Sequence, residues 1–157
     1  MSYARQYGVE TRIARIFNTY GPRMHESDGR VVSNFVLQAL RGEPITIYGS
    51  GKQTRSFCFV SDLIEGFIRL MDSNLDATPI NLGNPDEHTI EDLARRVLRM
   101  TGSSSRLEAH PLPTDDPVRR QPDIRHAREK LGWAPTVAID DGLRATVEYF
   151  QHRLSAT

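Results

Sequence analysis

The chain has 157 residues, with 20 Lys or Arg against 20 Asp or Glu, so its formal net charge is zero and it lacks the cationic excess of a dedicated nucleic-acid binder. A hydrophobic share of 38% argues against disorder and suits one globular unit, or one and a fraction. Cys58 is the single cysteine, which excludes an intrachain disulfide, and no stretch approaches the roughly 20 apolar residues of a bilayer span, so a cytoplasmic protein with no membrane partner is expected.

In chain order, Met1 to Tyr7 reads as the last turns of a helix stopped by Gly8. Thr11 to Phe17 (TRIARIF) reads as a strand, followed by the turn-forming Asn18 to Pro22. In RVVSNFVLQALRG the apolar Val31, Val32, Phe35, Val36, Ala39 and Leu40 recur at helical spacing, with Gly42 placed to end the helix. Pro44 to Gly49 and Thr54 to Val60 are rich in β-branched and aromatic residues and read as strands, with the polar SGKQ between them forming a hairpin-like turn. A helix follows from about Ser61 to Met71, with Asp62 near its N-terminus. Pro79 to Gly83 (PINLG) reads as a short strand. Thr89 caps the clearest helix, in which Ile90, Leu93, Ala94, Val97 and Leu98 share one face and Gly102 ends the run. SSSRLEAHPLPTDDP has one extended segment among prolines that oppose helix. A short helix from Asp123 to Leu131, a turn at Gly132 to Pro135, and an amphipathic helix through Leu143, Val147 and Phe150 complete the chain.

Gly49 to Lys52 (GSGK) is not a phosphate loop, because that motif needs four residues between its glycines and Ser or Thr after the lysine, where Gln53 stands. No G-x-G-x-x-G links a strand to a helix, and no G-x-S-x-G supplies a nucleophile elbow. The five histidines lack metal-ligand spacing, and Asp115-Asp116 and Asp140-Asp141 suit helix starts or loops, so neither a metal nor a catalytic residue is assigned. Arginines and amides beside strand ends stand out instead: Arg15, Asn18, Arg23, Arg30, Asn34, Arg55 and Arg119-Arg120. A guanidinium presents paired N–H donors that match phosphate oxygens, and two such forks can bracket a diphosphate. A salt-bridged or solvated arginine is the plainer reading of any one of them.

The segments ARIFNTYGPRM, DGRVVSNFVLQAL, ITIYGSGKQTRSFCFVSDL, INLGNPDEHTIEDLA, DDPVRRQPDI and LGWAPTVAIDDGL together resemble the C-terminal half of the UDP-glucuronate decarboxylases (UDP-xylose synthases). These are extended short-chain dehydrogenase/reductases acting on nucleotide sugars. The resemblance implies an α/β fold: the last strands of a Rossmann sheet, in 1–27 and 79–101, plus the small α+β substrate-binding domain, in 28–78 and 102–157. It places Asn18 on the substrate diphosphate, Arg55 and Arg120 on either side of it, and Arg30 with Val31, Ser33 and Asn34 against the substrate. Tyr48 and its strand edge would hold the uridine, Tyr3 and Gln6 would lie near the sugar, and Thr19 near the nicotinamide end of NAD.

In the complete enzymes, the resemblance implies, NAD oxidises the sugar C4 hydroxyl, the 4-keto group eases loss of the C5 carboxylate as CO2, and the retained NADH reduces the ketone to give UDP-xylose. The family's glycine-rich NAD loop and catalytic Tyr-x-x-x-Lys pair fall before Met1; four residues after Tyr3 and Tyr7 stand Tyr7 and Thr11. The chain is therefore expected to bind a UDP-sugar as part of a decarboxylase, to hold NAD poorly, and to be inactive by itself. Alternatives are part of a related nucleotide-sugar epimerase or 4,6-dehydratase, and a non-catalytic nucleotide-sugar-binding module. Unpaired edges on TRIARIF and PINLG would favour self-association or pairing with a separate Rossmann half.

Overall fold

The computed structural model describes residues 2–112 and 121–156, with side chains from residue 5 onward. Helix α1 (Ser2–Tyr7) precedes β1 (Ala14–Ile16), which runs parallel to β6 (Ile80–Leu82) with Ala14 opposite Ile80 and Ile16 opposite Leu82. Strand β2 (Thr19–Tyr20) likewise runs parallel to β5 (Cys58–Phe59). Parallel neighbours need long crossovers, and here the crossover chain includes α2 (Val31–Arg41) and, for β1 and β6, also α3 (Val60–Met71).

Two apolar cores hold the elements together. In the first, α2 contributes Val32, Phe35, Val36 and Ala39, α4 (Ile90–Thr101) contributes Ile90, Leu93, Ala94 and Val97, and α6 (Ile139–Ser155) contributes Leu143, Val147 and Phe150. Each set follows the spacing that gathers apolar side chains on one helix face. Strand β3 (Ile45–Tyr48) adds Ile45 and Ile47 from alternate positions and pairs in parallel with β8 (Leu107–His110). The second core surrounds Trp133, with Leu63 and Leu70 of α3, Ile80 and Leu82 of β6, Cys58, Ile124, and Ala127 of α5 (Arg125–Leu131).

Helix α4 packs with α2 and α6, whereas α3, α5 and Trp133 pack with β6. An apolar helix face carries no label for the surface that will cover it.

The expected hairpin between the two central strands is also corrected. Strand β3 pairs with β8, while β4 (Thr54–Ser56) pairs antiparallel with β7 (Glu87–Thr89), a strand not expected from the sequence. Gly49 and Gly51, at φ of 70° and 71°, turn the intervening chain across the start of α4, where the Gly51 carbonyl accepts from Glu91 N–H at 3.0 Å. Long-range pairing thus replaces the local turn that the polar tetrapeptide suggested.

The cap geometry holds at α4, where Thr89 Oγ1 accepts from Asp92 N–H at 3.1 Å and Gly102 closes the helix at φ 64°. Asp62 behaves otherwise: instead of capping α3, its carboxylate accepts from Thr136 N–H, Thr136 Oγ1–H and Val137 N–H at 3.0–3.1 Å. The same residue's carbonyl accepts from Trp133 Nε1–H at 2.9 Å, so one turn of α3 fastens the chain leading into α6. At the meeting point of the two cores, the Tyr20 hydroxyl donates to the Ile139 carbonyl at 3.3 Å, and Gly142 lets α6 approach Tyr20 and Phe59 more closely than a Cβ would allow.

Candidate functional site

A cavity of about 630 Å³ opens where the first core meets β1 and β2. Its floor is made of core side chains, Val32, Phe35, Phe57 and Ile90, and its rim carries Asn18, Arg30, Thr46, Tyr48, Gln53 and Arg55. A mostly apolar hollow with a few convergent polar groups is the usual form of a small-molecule site.

Each rim residue is placed by its own element. Asn18 and Thr19 follow the end of β1, and Thr19 Oγ1 donates back to the Phe17 carbonyl at 2.9 Å. Arg55 is central in β4, opposite His88 of β7, and its Nη1–H donates to the Thr54 carbonyl at 2.8 Å. Only 7% of Arg55 is exposed, and a guanidinium so far from water is stable only among oxygen acceptors.

Arg30 precedes the first turn of α2, which has neither a side-chain cap on Arg30 nor an acidic residue within it. Asp28, two residues earlier, supplies the carboxylate at that helix start, its Oδ1 accepting from Arg30 N–H at 3.0 Å. Arg30 itself is exposed; Nη1–H donates to the Thr19 carbonyl at 3.4 Å and Nε lies 3.7 Å from Asp28 Oδ2.

Strand β3 forms the far wall. Ile45 and Gly49 N–H donate to the carbonyls of Arg106 and His110 at 2.9 and 2.8 Å, so by alternation the N–H groups of Thr46 and Tyr48 face the opposite edge. Gln38 Oε1 accepts from Thr46 N–H at 3.2 Å, and Gln53 Nε2–H donates to the Tyr48 carbonyl at 2.6 Å. The Tyr48 ring is half exposed beside this edge.

The structure thus gathers Asn18, Thr19, Arg30, Val31, Tyr48 and Arg55 from among the residues expected to bind ligand. Ser33 and Asn34 are not in the lining. Ser33 Oγ–H is buried and donates to Asp28 Oδ1 and the Arg30 carbonyl, and Asn34 Nδ2–H donates to the Gly29 carbonyl at 3.2 Å, so both fasten the preceding loop to α2. Helical periodicity explains the difference: Val31 and Val32 share the cavity with Arg30, and the next two positions turn away. Gln6 is exposed on α1 and outside the lining, while the side chain of Tyr3 and the whole of Arg120 lie outside the described residues. Sequence reasoning missed Thr46, Gln53 and the apolar floor. The alternation of β3 could have pointed to Thr46, whereas Phe57 and Ile90 read simply as core.

The described residues do not fit NAD. Its pyrophosphate would need a glycine-rich turn from a strand into a helix, but the strands that run straight into helices, β5 into α3 and β7 into α4, do so without a glycine at the junction. Thr19 alone stands where the resemblance put a cofactor contact. A Tyr-x-x-x-Lys spacing does occur at Tyr48 and Lys52, yet it runs from a strand end through two left-handed glycines, whereas groups four apart meet on consecutive helical turns. Burial, reinforced by Asp62, pushes the Cys58 thiol up to about 12, which leaves it protonated and poorly nucleophilic at neutral pH. Among the described residues no group of three or more metal-ligating side chains gathers, and no helix is long and apolar enough to cross a membrane.

Paired parallel strands with a hollow beside them and arginines at its rim accompany a sequence that belongs to the NAD dependent epimerase/dehydratase family, whose pattern matches residues 1–83. Within that class it is 54% identical over 153 residues to UDP-glucuronic acid decarboxylase 1 of Danio rerio, covering 98% of this chain and 36% of the relative. The crystal structure of UDP-glucose 4-epimerase with UDP-glucose from Thermotoga maritima superposes with a TM-score of 0.92 at 32% identity, over 98% of this chain and 50% of that one. UDP-glucuronic acid 4-epimerase from Bacillus cereus, in complex with UDP-glucuronic acid and NAD, gives a TM-score of 0.88 at 27% identity, over 97% and 48%. The chain therefore spans about a third of that decarboxylase and half of each epimerase.

Proposed function

We propose that this chain supplies the nucleotide-sugar-binding part of a UDP-glucuronate decarboxylase, which converts UDP-glucuronate to UDP-xylose and CO2. The observation that carries the reading is the convergence of Asn18, Arg30, Tyr48 and Arg55, from four separate stretches of sequence, on one cavity. Arg55 favours the diphosphate, since a fixed guanidinium suits an anion in a water-poor hollow. Arg120 is assigned to the diphosphate's other side by the resemblance. The edge of β3 at Tyr48 takes the uracil, Asn18 a phosphate oxygen, and Arg30 with Val31 the sugar-facing side. Tyr3 and Gln6 are assigned near the sugar, and Thr19 near NAD, on the resemblance alone. The decarboxylase reading is preferred to an epimerase because 54% identity to a decarboxylase exceeds the 32% and 27% to the epimerases.

The same reading locates the protein in the cytosol, where its one buried thiol stays reduced, and expects self-association or pairing with a Rossmann half along β1. Half-exposed Ile16 on that strand supports such a partner. Calorimetric titration with UDP and UDP-glucuronate tests the site. Saturable binding that disappears in the Arg55→Ala, Arg120→Ala double variant, with its melting transition retained, is the expected result. Undiminished binding by that variant would overturn the diphosphate assignment.

A further inference from the structure

Strand β8 places a line of polar side chains beside the proposed base-binding wall. Arg106, Glu108 and His110 occupy alternate positions and so share one face, away from the core residues of β3. Arg106 Nη2 lies 3.1 Å from Glu108 Oε2, and Glu108 Oε1 lies 3.2 Å from His110 Nε2. His110 is directly opposite Tyr48 in the ladder, and the two rings meet at a centroid distance of 5.8 Å and a tilt of 52°. The Tyr48 side chain is 48% exposed at the strand's end, next to Gly49, so its cavity-side orientation needs a neighbour to select it. Strand side chains commonly populate two χ1 wells, and a directly opposed aromatic pair discriminates between them.

We propose that His110 is a positioning residue that holds the Tyr48 ring, through their ring contact, toward the base of a bound pyrimidine nucleotide. The inference rests on the reading of the cavity as a UDP-sugar site and adds to it the group that sets preference for the base over the bare diphosphate. A planar base gains from an aromatic wall only when that wall is already turned to meet it, because ordering the ring on binding would subtract from the affinity.

The test compares UDP with inorganic pyrophosphate by calorimetry on the wild-type chain and on His110→Ala, His110→Phe and Tyr48→Ala, each checked for an unchanged melting transition. His110→Ala is expected to weaken UDP about three- to tenfold, the range for loss of one aromatic contact, and to leave pyrophosphate unchanged. His110→Phe, which keeps the ring contact without the hydrogen bond, should restore most of the UDP affinity. If Tyr48→Ala weakens UDP while His110→Ala does not, the role of His110 is overturned and the base site stands. Equal loss of both ligands in His110→Ala, or no rescue by Phe, also overturns it. UDP affinity unchanged in Tyr48→Ala, or absent in the wild type, overturns the site reading and the proposal with it.

Discussion

The core built by α2, α4 and α6 and the core built around Trp133 bury their central side chains equally well, yet their surroundings differ. Val36, Leu93 and Phe150 in the first, and Leu82 and Ala127 in the second, are fully buried. Outside the first core, the apolar residues that approach the surface become the floor of the cavity. In the second region, Ile64, Ile68 and Met71 follow one another at four- and three-residue steps along α3 with half or more of each exposed. One region thus borders the cavity, while the other leaves a row of apolar side chains exposed. A cavity can form at the edge of one core while the exposed apolar row lies on the other.

The largest expected effect is on the second core. Trp133→Ala removes its biggest side chain and the hydrogen bond to the Asp62 carbonyl, at a cost of about 3–5 kcal/mol. Hydrogen exchange should show protection falling first in α3 and β6 and later in α2, α4 and α6. Simultaneous loss everywhere would mean that the two cores unfold as one unit.

Alkaline pH probes their junction. Cys58, on β5, carries a thiol raised from 9.0 to about 12 by burial, so above pH 9 the unfolded chain loses a proton that the folded chain keeps. Stability therefore falls as pH rises from about 9 to 12, by at most about 1.4 kcal/mol per unit from this group. Burial raises the partner-strand phenol of Tyr20 as well, which extends the loss upward. Urea midpoints across that range should decline, and Cys58→Ser should flatten the first part of the decline.

The smallest effect belongs to the first core's edge. Thr89→Ala deletes the cap of α4 and should lower stability by about 1 kcal/mol. A shift in the urea midpoint with unchanged slope would confirm a local loss, and UDP affinity should be little altered because Thr89 is outside the cavity lining.

Elements whose signals are local were legible in the chain. The apolar faces of α2 and α4, the stops at Gly42 and Gly102, and the Thr89 cap all depend on residues within a few positions of one another. Most of the rim was legible through motif resemblance, at Asn18, Arg30, Tyr48 and Arg55, while Ser33 and Asn34 share the same motif but face the loop. Strand β7, the separation of β3 from β4, and the attachment of Asp62 to residues 136–137 were not legible, because each is completed by a partner 30 or more positions away.

The sequence by itself determined the helices, their ends, the zero net charge and the family, since periodicity, capping and motif identity are properties of neighbouring residues. Tertiary structure alone decided which helix faces share a core, which strands pair, and which arginines meet at one cavity. Those outcomes depend on burying apolar surface and completing backbone hydrogen bonds between distant segments, and such gains exist only once the whole chain has packed.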